Sequence, residues 1–194
     1  DIGSGVAPED FFSCRRSGDV TVSDAFGAEE LRAFNEVLPL RFRDITMRFE
    51  TECEECDISF MTLLTSLSVN GLHECLLTIP TSVVDLELDE DTMEVNISGT
   101  ENLTSLHVCN MVAVITPCPK LQELRWCGGT LSEQTLPCPI SCVTTLSNLV
   151  VEMDSIDPDF RFPTQLTALS VSMVCNWVDT SLLMPLTRLQ QLSI

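Results

Sequence analysis

The chain has 194 residues, with 29 acidic side chains against 10 basic ones and a formal net charge of −19. Such a field repels polyanions and offers few basic groups to displace counterions, which argues against nucleic acid and anionic lipid as partners. A hydrophobic fraction of 44% supplies ample core material, yet no apolar run approaches the ~18 residues of a membrane-spanning helix.

Residues 1–22 are polar and contain glycine, with Arg15-Arg16 beside Cys14 as a basic pair. Ser23-Asp24 can then cap a helix whose apolar positions are Ala28, Leu31, Phe34 and Val37, ending near Pro39. Glu29 and Glu30 in its early turns suit the positive end of a helix dipole. One apolar stripe on a short helix of this kind predicts an N-terminal cap, so residues 1–40 are assigned to a capping segment.

From residue 42 a single unit recurs, apolar-x-x-apolar-x-apolar. It reads Phe42-x-x-Ile45-x-Met47, Leu64-x-x-Leu67-x-Val69, Val83-x-x-Leu86-x-Leu88 and Leu103-x-x-Leu106-x-Val108. It continues as Leu121-x-x-Leu124-x-Trp126, Leu146-x-x-Leu149-x-Val151, Leu166-x-x-Leu169-x-Val171 and Leu189-x-x-Leu192-x-Ile194. Successive first positions are 22, 19, 20, 18, 25, 20 and 23 residues apart, a mean of 21. A fixed period of this length marks a solenoid, in which each unit buries its apolar face only by stacking on its neighbours. Residues 41–194 are therefore assigned to about eight units. The last stops inside its strand at Ile194, so the array is expected to continue past it.

The alternation within each unit predicts a short strand, with positions 4 and 6 pointing into the core and positions 3, 5 and 7 pointing out. The predicted core is Leu64, Leu67, Val69, Leu86, Leu88, Leu103, Leu106, Val108, Leu121, Leu124, Trp126, Leu146, Leu149, Val151, Leu166, Leu169 and Val171. Connecting segments carry Pro80, Pro117, Pro119, Pro137, Pro139, Pro158, Pro163 and Pro185. Proline breaks regular helix, so short 3-10 turns and extended stretches are expected there. The 25-residue step, which contains Cys138-Pro139-Ile140-Ser141-Cys142, predicts a bulging loop.

Over about residues 40–194 this pattern resembles the leucine-rich-repeat family, in an irregular and divergent form. The resemblance implies an α/β repeat solenoid: a parallel β-sheet on the concave face, an irregular 3-10 convex side and the N-terminal helix as cap. It also implies Asn or Cys at position 9, where the side chain bonds the turning backbone. Here that position reads Glu50, Leu72, Asp91, Met111, Gly129, Asp154 and Val174, and only the two Asp residues could take that role.

Stacked repeats align equivalent positions into columns about one strand spacing, roughly 4.8 Å, apart. The fifth position runs Thr46, Ser68, Glu87, His107, Arg125, Val150, Ser170, Ser193, and the third runs Asp44, Ser66, Asp85, Ser105, Glu123, Asn148, Ala168, Gln191. Glu87, His107 and Arg125 thus fall side by side, with Asp85, Asp89 and Glu123 around them. This patch is the candidate partner-binding surface. The competing reading is a solvated ladder of surface ion pairs, each contributing about 0–1 kcal/mol. Catalysis is not expected, because parallel side chains on a flat sheet do not converge on a reacting atom.

Ten cysteines are the other feature. Cys109 and Cys127 share position 7 and should adjoin at their strand ends, as a disulfide or as an exposed thiol pair. Cys53-Glu-Glu-Cys56 with His73-x-Cys75 offers four residues of zinc-ligand type. Cys53 and Cys75 also share position 12, which explains their proximity without a metal, so no metal or other cofactor is assigned. Buried cysteine as a small apolar filler accounts for most of the rest. The sequons Asn96-Ile-Ser98 and Asn102-Leu-Thr104 permit a glycoprotein. Repeat scaffolds of the resembled family mostly bind proteins. The expected function is thus a non-enzymatic adaptor or scaffold subunit gripping one protein, with a basic surface as its complement, as part of a larger chain or complex. A reduced, cytoplasmic setting is slightly favoured. The alternative is a cell-surface or secreted recognition protein with disulfides and glycans.

Overall fold

A computed structural model describes residues 17–22, 32–33, 42–49, 54–89, 95–109, 114–115, 118–132, 135–136, 140, 143–173 and 180–194. The chain winds as a solenoid of parallel strands. Nine of them form the main sheet. They are β1 (Ser17–Val22), β2 (Asp44–Phe49), β4 (Ser66–Asn70), β6 (Asp85–Leu88), β8 (Ser105–Cys109), β10 (Glu123–Leu131), β11 (Asn148–Ile156), β12 (Ala168–Met173) and β13 (Gln191–Ser193), in that spatial order. Each of the eight strands from β2 onward begins at the third position of a unit. The register joins the column Asp44, Ser66, Asp85, Ser105, Glu123, Asn148, Ala168 and Gln191 residue for residue.

Burial alternates along these strands because successive side chains leave opposite faces of the pleat. All seventeen expected core residues are buried, none more than 3% exposed. Stacked Leu67, Leu86, Leu106, Leu124, Leu149 and Leu169 make one column of that core, and Val69, Leu88, Val108, Trp126, Val151 and Val171 a second.

Two recurring backbone features set the repeat. A tight turn leads into each strand: the N–H of the first-position residue donates to the carbonyl three residues back. This holds for Leu64 to Met61, Val83 to Pro80, Leu103 to Thr100, Leu121 to Cys118, Leu146 to Val143, Leu166 to Pro163 and Leu189 to Leu186. The acceptor residue is buried every time, adding a core column that precedes the sequence motif. Next, each position-2 carbonyl accepts two N–H groups of the following unit. Thr65 and Ser66 donate to Arg43, Val84 and Asp85 to Thr65, Thr104 and Ser105 to Val84, and the pattern persists to Gln190 and Gln191 on Thr167.

The side opposite the main sheet differs from the expectation. An irregular, 3-10 convex face was predicted. Instead β3 (Glu55–Asp57), β5 (Leu76–Thr78), β7 (Asn96–Ser98) and β9 (Val114–Ile115) form a second parallel sheet. The first three each send their middle residue, Cys56, Leu77 and Ile97, into the core. Three-residue strands with one inward side chain are too short to leave a periodic signature, which is why the sequence hid them. A 3-10 turn does occur later, at Thr180–Leu183. The turn after β7 requires glycine: Gly99 has φ +87°, and a Cβ there would stand 2.1 Å from the Ile79 carbonyl oxygen.

The α/β description and the N-terminal helix cap are not supported by the described residues. Of the predicted helix only Arg32 and Ala33 lie among the described residues, and both are helical; Ala28, Leu31, Phe34 and Val37 lie outside them. The polar N-terminal segment contributes a strand, and β1 pairs in parallel with β2 from Ser17–Asp44 to Val22–Phe49. Among the described residues the sheet edge at this end is therefore the strand β1. Beyond Arg32–Ala33, the 3-10 turn and Ile140, also in 3-10 conformation, the described residues are strands, turns and extended segments.

Two smaller points concern the 25-residue unit and position 9. In the 25-residue unit, β10 and its partner β11 run for nine residues each and stay paired out to Leu131–Ile156, so part of the extra length lengthens strands. Cys138 and Cys142 lie outside the described residues. At position 9, Leu72 is fully buried, an apolar filler where the resembled family would bond its backbone through Asn.

Candidate functional site

The open face of the main sheet is built from positions 3, 5 and 7, whose side chains are exposed or half-buried. Small hydroxyl side chains line much of it: Ser66, Ser68, Ser105, Ser170 and Ser172. Against that ground the charges concentrate on the middle strands. β6 presents Asp85 and Glu87, and Asp89 follows it half-buried; β8 presents His107; β10 presents Glu123 and Arg125. The register places Glu87 beside His107 and His107 beside Arg125, with Asp85, Ser105 and Glu123 in the adjoining column.

Glu87 Oε1 lies 3.2 Å from His107 Nδ1, on the neighbouring strand. Among the described residues this is the one ion-pair geometry on the face, and Arg125 pairs with neither flanking glutamate. The competing reading, a ladder of surface ion pairs, is represented among the described residues of this face by that pair. What remains is an acidic strip along β6, flanked on β4 by Ser66, Ser68 and Asn70, which carry no compensating charge.

His107 also faces sulfur. Its Nε2 lies 3.5 Å from Cys109 Sγ, two residues along the same face of β8. Cys109 is in register with Cys127 of β10, their Cα atoms are 4.5 Å apart, and the two sulfurs are joined as a disulfide. Glu87, His107 and Cys109 therefore make a chain of carboxylate, imidazole and sulfur. The sulfur is held in a disulfide, so the chain contains no free nucleophile.

Of the cysteine–histidine set near residues 53–75, Cys56, His73 and Cys75 lie among the described residues. Leu76 pairs with Glu55, and the Leu76 N–H donates to the Glu54 carbonyl, so Cys75 aligns with position 54 rather than with Cys53. The second sheet steps by 21 residues here, whereas the first positions step by 22. Cys53 lies outside the described residues, Cys56 and Cys75 are core residues, and His73 is exposed. Among the described residues, the group of three or more metal-ligand side chains close enough to share an ion is His107, Cys109 and Cys127.

The two sequons differ. Asn96 is exposed on the second sheet. The Asn102 side-chain amide donates to the Thr81 carbonyl at 2.8 Å and its oxygen accepts from Lys120. Among the described residues no helix is long and apolar enough to cross a membrane. Comparison with protein-family models, curated proteins and solved structures finds no match for this chain.

Proposed function

We propose that this chain is a non-enzymatic recognition module whose open sheet face binds a protein through the patch of Asp85, Glu87, Asp89, His107, Glu123 and Arg125. The observation that carries this reading is the acidic strip along β6, left without a basic neighbour on β4. A rigid, regularly spaced row of carboxylates complements lysine or arginine side chains on a partner, speeds encounter and disfavours acidic competitors. As a test, the wild type and a D85K/E87K/E123K variant are used as bait in the source material. A control bait carries L76S/N96D on the exposed positions of the second sheet. A protein captured by wild type and control but lost by the charge-reversed face supports the reading. Identical captures by all three would overturn it.

A second reading concerns setting. The Cys109–Cys127 disulfide and the exposed Asn96 sequon favour a secreted or cell-surface recognition protein over a cytoplasmic adaptor. Intact mass of the natural protein, alkylated with and without prior reduction, separates them. Two fewer alkylations before reduction, with added glycan mass, would place it outside the cell. Ten alkylations without reductant would place it in a reducing compartment.

A further inference from the structure

We infer that His107, Cys109 and Cys127 form a thiol-gated metal site, closed while the disulfide stands and taking a zinc-class ion once it is reduced. The geometry carries the argument. One nitrogen and two sulfurs lie within 4.8 Å of one another on one face of adjacent strands. In a tetrahedral site with Zn–S of about 2.3 Å and Zn–N of about 2.0–2.1 Å, ligand nitrogen and sulfur stand about 3.6 Å apart. His107 Nε2 and Cys109 Sγ are already 3.5 Å apart. Only the sulfur–sulfur separation has to open, to about 3.8 Å for that same tetrahedron. Cys109 and Cys127 face each other directly across one strand spacing, so side-chain rotation can provide it.

The surroundings suit such an ion. Glu87 engages His107 through Nδ1, which leaves Nε2 for the sulfur side. A carboxylate on the far nitrogen of a ligating imidazole is the usual support of a histidine ligand, fixing its tautomer and raising its basicity. Half-buried Cys109 and Cys127 are reachable from solvent, unlike the core thiols of Cys56, Cys75 and Cys118. The fourth coordination position falls on the open face, where water can fill it. On the β11 side the register sets Glu152 beside Cys127.

The chemistry balances with a small thiol as reductant. A first thiolate attacks the disulfide, giving a mixed disulfide and one free cysteine thiolate. A second external thiolate attacks the external sulfur of that mixed disulfide, forming the external disulfide and releasing the second cysteine thiolate, so two electrons pass from two thiols to the cysteine pair. The divalent ion then binds both sulfurs as thiolates and displaces two protons to solvent. The reverse exchange restores the closed state: an external disulfide takes two electrons from the two cysteine thiolates, leaves as two thiols, and the ion is released to solvent.

Cobalt is the probe, because tetrahedral thiolate-bound Co²⁺ has intense visible bands, and zinc competition then gives the affinity. The expected result is one equivalent of cobalt bound by reduced protein and no such bands in the oxidised form. C109S/C127S should abolish them, H107A should remove or shift them, and E87Q should weaken zinc binding ~10–100-fold with the circular dichroism unchanged. H107A and E87Q keep both cysteines, so the test survives any folding defect in the double variant. Absence of the bands in reduced wild type would overturn the assignment. So would their persistence in C109S/C127S, or equal affinity in wild type, H107A and E87Q.

Discussion

At the residue scale, Trp126 and Gly128 form a coupled pair. Trp126 replaces the aliphatic residue of its column, between Val108 and Val151, and is 2% exposed. Its Nε1 has no hydrogen-bond partner among the described residues. Room for the indole comes from Gly128: a Cβ there would stand 2.5 Å from Trp126 Cζ2. Gly128→Ala should therefore destabilise by about 1–3 kcal/mol, the usual range for overpacking. Trp126→Phe removes the crowded benzo ring together with an unsatisfied donor, so Gly128→Ala should be nearly neutral in that background. Urea denaturation of the four-member cycle reads the coupling, expected above about 1 kcal/mol; additive effects would mean the backbone yields instead. Asp57 provides a second residue-level case. It accepts hydrogen bonds from Ser59, at 2.9 Å from the backbone N–H, and pairs with Arg32, which hold its carboxyl below the ordinary value of 3.8. A lowered folded-state pKa means the contribution is present above the unfolded carboxylate pKa and fades as pH falls through the folded one. Asp57→Asn should thus cost stability at neutral pH and little at strongly acid pH. The pair is solvent-exposed, so the difference should stay under about 1 kcal/mol. Equal losses at both pH values would assign the cost to packing.

Elements are held by the link between consecutive units. The position-2 carbonyl already accepts two backbone N–H groups, and where the next position 2 is Thr or Ser its hydroxyl donates to the same oxygen. Thr65 bonds Arg43, Thr104 bonds Val84, Ser147 bonds Gln122 and Thr167 bonds Ser147, at 3.0–3.2 Å. Thr104→Val keeps the shape and deletes one such bond, and should cost about 0.5–1.5 kcal/mol. A chemical-denaturation midpoint unchanged within error would show that water replaces the hydroxyl without loss. This ladder explains what the sequence showed and what it hid. Main-sheet register was legible because two inward residues, two apart, recur in every unit and a one-residue slip would expose them all. Columns of Glu87, His107 and Arg125, and of Cys109 and Cys127, followed from that register alone. The hydroxyl at position 2 is not legible in the sequence, since Thr and Ser signal nothing without the carbonyl opposite them. The buried turn column was hidden by its chemistry: Met61, Pro80, Thr100, Cys118, Val143, Pro163 and Leu186 share a place but no residue class. The second sheet steps by its own interval, so counting from the first motif misaligned Cys75 by one residue.

For the whole molecule, stacking governs the stability of each layer, and charge acts on all layers together. Each interior unit buries its apolar residues against neighbours on both sides, while β13 has a neighbour on one side within the described chain. Leu192 sits in the column of Leu169 and Leu149, yet it is 46% exposed where they are 1% or less. Within the described chain no further layer lies over it, which illustrates how completely a repeat depends on its neighbours. The charges oppose this stacking. The chain carries a net charge of −19 on 194 residues, part of it on strands held one spacing apart. On β6, Asp85 and Glu87 share a face with Asp89 just beyond, and Glu123 stands two strands away. Such like charges repel more in the folded array than in an extended chain, and salt screens that difference. The Debye length falls from about 30 Å at 0.01 M ionic strength to about 8 Å at 0.15 M, below which pairs across several strands no longer interact. The urea midpoint should therefore rise as sodium chloride increases over that range, and D85N/E87Q should raise it at low salt while flattening its salt dependence. A midpoint that falls with salt in the wild type would mean attractive pairs dominate, as the ion-pair ladder would require. A rise that the double variant leaves unaltered would locate the repulsion away from β6, and the case for a carboxylate strip kept for a basic partner would weaken with it.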